Sequence, residues 1–189
     1  MRFYDLLEAV RGQPQALTIP AEWAQGRASF GGLVVALQYE AMRAKVAADR
    51  PVRSLAVTFV GPVAPDVPVS FEVDVLREGK AVSQVLGRVM QEGQVVTLVQ
   101  GSFGASRESS VSVAAEPAPE MKHWDDCQEL PYIQGVTPEF MRHLAMRWSI
   151  GGLPFTGNRS RDMGGWVRLR GDVTVSYTHL RAHETPEHL

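Results

Sequence analysis

The chain has 189 residues, 44% of them apolar, with a formal charge of -2 and one cysteine. That length and composition belong to a folded protein of one ordinary domain or two small ones, and exclude a disordered chain. The near-balanced charge gives no electrostatic footprint for nucleic acid or an anionic membrane, and the lone Cys127 excludes an intramolecular disulfide framework.

The opening Met1-Arg2-Phe3-Tyr4-Asp5 lacks the apolar core of a signal peptide, and no later run is long enough to span a membrane. A cytoplasmic protein with no membrane or nucleic-acid partner is the expectation. The first strong element follows Phe30-Gly31-Gly32: from Leu33 to about Ala44 apolar residues surround the helical wheel on nearly every side. A helix without a polar face belongs inside a structure. It closes toward Asp49-Arg50-Pro51, where proline cannot continue a helix.

Strands are predicted next, over Arg53–Gly61, Val67–Leu76, Val82–Gln91 and Gln94–Phe103. The second alternates most cleanly, with Val69, Phe71, Val73 and Val75 set against Ser70, Glu72 and Asp74. Turns at Glu78-Gly79-Lys80 and Glu92-Gly93 join them into an antiparallel meander. Glycines at 87 and 101, inside strands, suggest bending or close backbone approach. A curved antiparallel sheet wrapped around one buried helix satisfies the whole pattern: an α+β hotdog fold.

Residues 105–119, rich in serine, alanine and proline, read as a linker. Beyond it, Phe140–Trp148 is predicted as a strand, although Met141 and Leu144 also suit a helix, and Gly165–Arg170 as another.

Four ordered motifs, Trp23-Ala24-Gln25-Gly26-Arg27-Ala28-Ser29-Phe30-Gly31-Gly32, Ser54-Leu55-Ala56-Val57-Thr58-Phe59-Val60-Gly61-Pro62-Val63, Val75-Leu76-Arg77-Glu78-Gly79-Lys80 and Gln100-Gly101-Ser102-Phe103-Gly104, resemble the N-terminal hotdog of the acyl-CoA thioesterase II (TesB-like) family. Thr137-Pro138-Glu139-Phe140 and Gly165-Trp166-Val167-Arg168-Leu169-Arg170 resemble the opening of that family's second hotdog. The resemblance implies a double-hotdog hydrolase that cleaves acyl-CoA to free acid and CoA without metal or organic cofactor. It divides the chain into an N-terminal hotdog (1–104), a linker (105–119) and the start of a second hotdog (120–172). It also implies a catalytic aspartate on a second central helix, after the strand ending near Arg170.

The sequence departs from that pattern after Asp172. Val173–Leu189 has no apolar run for a central helix, carries Pro186, and holds three of the five histidines. Residues 173–189 are expected to be a non-native tail, which leaves the catalytic residue unassigned and hydrolysis impaired. The tail's His183-Glu184-Thr185-Pro186-Glu187-His188 is one residue too long for a zinc-protease motif, and its proline forbids the required helix.

A thioesterase needs donors aimed at the thioester oxygen and a group to activate water. Glycines at a helix N-terminus let a ligand approach backbone N–H groups closely, so Phe30, Gly31 and Gly32 are the candidate substrate-binding residues; the alternative is that the glycines only let the helix start tightly against a strand. Ser29 is expected to cap that helix, because Arg27 spoils a G-x-S-x-G nucleophile elbow. Cys127, Asp125, Asp126 and His143 are weaker catalytic candidates, expected to be structural or solvated. Trp148 and Trp166 read as core residues, with an acyl channel as the alternative, and Arg27, Arg53 and Arg77 as candidate contacts for CoA phosphates. Two other readings stand beside the thioesterase. One is a hotdog hydratase, weakened because no aspartate has a histidine five residues later. The other is a non-catalytic acyl-thioester binding or interaction module. A lone hotdog sheet would leave an edge uncovered, so self-association is expected.

Overall fold

The computed structural model describes residues 1–117, 119–152, 157, 159 and 162–171. These fall into two units, each described by itself: Met1–Glu108 with Pro138–Phe140, and Ser109–Thr137 with Met141–Leu189. The expected non-native tail, 173–189, lies outside the described residues.

The first unit begins with helix α1 (Phe3–Gly12), whose buried Leu6, Leu7 and Val10 share one face. Arg2 and Asp5 close its N-terminus reciprocally: the Arg2 backbone N–H donates to Asp5 Oδ2 at 2.9 Å and the guanidinium to Oδ1 at 3.0 Å. Those bonds hold the Asp5 carboxyl below its usual pKa range. Short strands β1 (Leu17–Thr18), β2 (Ala24–Gln25) and β3 (Ala28–Ser29) lead to helix α2, Gly31–Arg43. Four long strands follow: β4 (Val52–Phe59), β5 (Pro68–Glu78), β6 (Val82–Gln91) and β7 (Gln94–Gly104).

With β1 they form an antiparallel sheet of order β1-β5-β6-β7-β4, in which β7, the last in sequence, comes back to pair with β4, the first of the four long strands, at the edge. The Glu92-Gly93 turn has positive φ at both residues, 50° and 75°, the geometry that matches the twist of paired strands. Register puts Phe71 opposite Val89, Val85 opposite Gly101, and Gly101 opposite Leu55. Residues two apart share a face, so one face carries Val69, Phe71, Val85, Val89, Val99 and Phe103, all buried.

Helix α2 lies on that face and buries Leu33, Val34, Leu37, Gln38, Ala41 and Met42. Two strand glycines make room for it. A Cβ on Gly101 would stand 2.7 Å from the Met42 methyl, and one on Gly87 2.4 Å from Gln38 Nε2. Met42, Val85, Val99 and Phe103 form a fully buried cluster there. Gln38 is completely buried too, and its Nε2 donates to the Glu72 carbonyl at 3.1 Å. The opposite face is polar: Arg88 bridges Glu72 at 3.3 Å and Asp74 at 2.6 Å, which raises the guanidinium's already high pKa. The wrapped helix and curved antiparallel sheet are the hotdog fold.

In the second unit β8 (Leu144–Ile150) pairs antiparallel with β9 (Gly164–Leu169). The strand predicted to start at Phe140 begins instead at Leu144, because Glu139–His143 forms a 3₁₀ turn. The spacing of Met141 and Leu144, compatible with either period, carried that difference. No helix among the described residues is long and apolar enough to cross a membrane.

Candidate functional site

The start of α2 presents backbone donors that precede its helical ladder. Its N-cap is Phe30, with φ -56° and ψ 120° and no side-chain cap. The first bond into the helix runs from the Val34 N–H to the Phe30 carbonyl, 3.1 Å. The N–H groups of Gly31, Gly32 and Leu33 therefore precede the intrahelical ladder, at the positive end of the helix dipole. No acidic residue occupies the first turn, so nothing within the helix neutralises that end.

Two neighbouring backbone bonds fix this entrance. Phe30 N–H donates to the Trp23 carbonyl at 2.8 Å, and Ser29 N–H to the Val63 carbonyl at 2.7 Å. Trp23 is itself buried, with its indole N–H on the Met1 carbonyl at 3.0 Å. The expected Ser29 cap is not formed: the helix starts one residue later, and Ser29 Oγ is buried without a partner. Such a buried hydroxyl suits neither a cap nor an exposed elbow nucleophile.

Aromatic rings fill the space beside both glycines. A Cβ on Gly31 would stand 2.9 Å from the Phe59 ring, and one on Gly32 2.6 Å from the Phe30 ring. Phe59, on edge strand β4, is 60% exposed. Phe30 stacks on Phe140 with centroids 4.1 Å apart and planes 3° from parallel. Opposite Phe59 in register stands Thr97, fully buried with no partner for its Oγ1. Thr97 is not among the sequence-predicted site residues; its signal is one hydroxyl on the face that also carries Val99, Gly101 and Phe103. The entrance thus combines backbone donors, two aromatic walls and unpaired hydroxyls, an arrangement that can polarise a carbonyl next to an apolar chain.

A cleft of about 550 Å³ opens elsewhere, beside the C-terminal end of α2, lined by residues including Val10, Arg11, Ala41, Lys45, Phe71 and Arg88. It has volume but not the helix-start donors, so the chemistry points to the other end of α2.

The remaining candidates are dispersed. Asp125 and Asp126 are exposed, and Asp125 lies 3.5 Å from His123. Cys127 is buried with Sγ 3.7 Å from the Lys122 carbonyl, and His143 closes the 3₁₀ turn. Trp166 is 39% exposed rather than packed in a core, its indole N–H donating to the Lys122 carbonyl at 2.8 Å. Trp148 is half-buried. Arg27, Arg53 and Arg77 are not gathered by the fold. Arg53 holds the Gly104 carbonyl at 3.0 Å, Arg77 sits on β5 with β6 and β7 between it and β4, and Arg27 is exposed between β2 and β3. Among the described residues, no three His, Cys, Asp or Glu side chains gather as metal ligands would.

Comparison with known proteins returns one family for this unit: residues 19–104 match the family described as acyl-CoA thioesterase N-terminal domain. No curated sequence matches the chain. Among solved structures, a conserved hot dog-fold protein of Alicyclobacillus acidocaldarius is 21% identical, with TM-score 0.68, covering 82% of this chain and 57% of its own. The acyl-CoA thioesterase II TesB2 of Mycobacterium marinum is 19% identical, TM-score 0.60, covering 82% and 55%. A tesB protein of Mycobacterium avium subs paratuberculosis is 22% identical, TM-score 0.59, covering 88% and 62%. At these identities the likeness establishes the fold, and the chain spans little more than half the length of these structures.

Proposed function

Residues 19–104 match the acyl-CoA thioesterase N-terminal domain family, and from that premise we propose that this unit is TesB-like and binds acyl-CoA thioesters at the start of α2. The observation that carries the proposal is the glycine-opened helix start, whose Gly31 and Gly32 N–H groups precede the helical ladder beneath exposed Phe59. A thioester carbonyl accepting from those N–H groups would gain from the helix dipole. Phe30 and Phe59 would flank the acyl carbons, the Phe59 ring turning aside on its exposed edge.

Hydrolysis also needs a base for water. The family resemblance assigns the working aspartate to a second hotdog, after the position of Asp172. Residues 120–172 supply the start of that second hotdog, and 173–189 lack the apolar run its central helix requires. The chain therefore binds acyl-CoA and turns it over weakly or not at all, while a complete double hotdog would release free acid and CoA. No cofactor enters this chemistry. A cytoplasmic setting accords with the single cysteine.

Self-association belongs to the same reading. Edge strand β4 exposes Leu55, Val57 and Phe59 along one face, at 39%, 37% and 60%, and among the described residues has no strand beyond it. An unpaired apolar edge is a template for another chain.

Two measurements on the purified chain test this. Titration with a non-hydrolysable thioether analogue of acyl-CoA should saturate, and thiol release from acyl-CoA of several chain lengths should stay near the buffer rate. Rapid thiol release would overturn the impaired-hydrolysis reading, and no saturation would overturn the binding reading.

A further inference from the structure

The second unit contains a concentration of guanidinium groups that the helix-start site does not use. Across the β8–β9 pair, Ala145 stands opposite Arg168 and Arg147 opposite Trp166. Opposed residues and residues two apart share a face, so Arg147, Trp166 and Arg168 lie together, and Arg170 continues the alternation. The Trp124 indole lies against this face. The guanidinium carbons of Arg147 and Arg168 are 4.6 Å and 4.5 Å from its ring centroid, a cation–π arrangement that holds two cations on one ring.

One carboxylate serves this group. Glu129 pairs with Arg147 at 3.7 Å and more closely with Arg170. Its pKa is pushed down first by the Arg170 hydrogen bond, then by the charges of Arg170, Arg147 and Arg168. Arg147 is further tied to the Trp124 carbonyl at 2.7 Å and Arg170 to the Leu144 carbonyl at 3.1 Å. Arg168 is different: it is exposed, rests on Trp124, and makes no hydrogen bond or ion pair among the described residues. Asp125 and Asp126 follow Trp124 in sequence but are exposed, and Asp125 is 3.5 Å from His123.

A guanidinium held in place by an indole, with no carboxylate hydrogen-bonded to it among the described residues, keeps its forked donors available for an anion. A phosphate, like a carboxylate, matches that fork with two parallel hydrogen bonds and brings the greater charge. We propose that the Arg168 face of the β8–β9 pair is a binding site for the phosphates of a nucleotide. Arg168 supplies the free bidentate donor and Arg170 the second positive charge. A nucleotide's phosphates carry that chemistry whether the nucleotide is free or, on the acyl-CoA reading above, the adenosine end of a CoA molecule. The same chemistry would take a free nucleotide or inorganic phosphate.

The test is a calorimetric titration of the full chain with adenosine 3′,5′-bisphosphate, inorganic phosphate and adenosine, at low and high salt. The bisphosphate should saturate and weaken by about tenfold on raising the salt from roughly 50 to 500 mM, as exposed charge pairs are screened. Adenosine should not bind, and inorganic phosphate should compete only weakly. Arg168→Gln should reduce affinity by about tenfold, and Arg168→Lys by less, with far-UV circular dichroism unchanged for both. Binding that ignores Arg168→Gln in a folded variant, equal affinity for adenosine, or no saturation would overturn the site. If Arg168→Gln does not fold, Arg170→Gln gives the same reading. An acyl-pantetheine thioether, which lacks the nucleotide, separates the two claims: its saturation without that of the bisphosphate upholds the helix-start site and rejects this one.

Discussion

Substituting Gly87 by alanine tests how tightly α2 is held against the sheet. The added Cβ would lie 2.4 Å from Gln38 Nε2 and 2.7 Å from its Cδ, well inside the ~3.5 Å at which carbon atoms pack comfortably. Gln38 has no exposed surface to retreat into, and moving it breaks the 3.1 Å bond to the Glu72 carbonyl. Overpacking of this kind costs about 1–3 kcal/mol, and stranding a buried amide costs about 1–3 kcal/mol more. The expected loss is about 3 kcal/mol, read as a lower urea midpoint in far-UV circular dichroism. Adding Gln38→Ala to Gly87→Ala should recover about 1–2 kcal/mol relative to the sum of the single effects, because the new methyl then enters vacated space. A Gly87→Ala variant within about 0.5 kcal/mol of the parent, the usual range for a neutral surface change, would refute the packing argument.

Val57→Lys should abolish self-association in sedimentation velocity, since a lysine on an edge strand blocks strand pairing; an unchanged oligomer would remove β4 from the interface. Gly31→Ala should cost under about 1 kcal/mol of stability, because the exposed Phe59 ring can yield, yet weaken thioether-analogue binding by several-fold in calorimetry. The Glu129 carboxyl titrates below its ordinary value, so its contribution to stability is present above the unfolded-state pKa of about 4.3 and is lost as pH falls through the folded value. Its titration by carboxyl NMR should move upward in Arg170→Gln, the first cause of the shift; no movement would contradict the pairing.

The hotdog was legible because its determinants are periodic and local. Val69, Phe71 and Val73 alternate, and the helix after Gly32 has no polar face to turn to water. Gln38 shows where that logic stops, since a polar residue on the helix is buried only because Gly87, 49 positions later, leaves the space. Helix α1 carries no ordinary start signal, its N-cap being Arg2, and only the spacing of Leu6, Leu7 and Val10 announces it. Ser29 looked like a cap from its neighbours alone. Its backbone is instead committed to Val63, a long-range partner that local sequence does not announce. The helix-start glycines were legible as a place of close approach, but the nature of the approaching groups was not. They are the rings of Phe59 and Phe30. The Trp124–Arg147–Arg168 group was invisible for the same reason: three distant stretches of chain supply it.

The central claim, that the start of α2 receives a thioester, is tested most directly by residue-resolved amide NMR during titration with a thioether analogue of acyl-CoA. The account predicts saturable shifts at the Gly31, Gly32 and Leu33 amides, with smaller ones at Phe59. Saturable binding whose shifts leave those three amides untouched would contradict it.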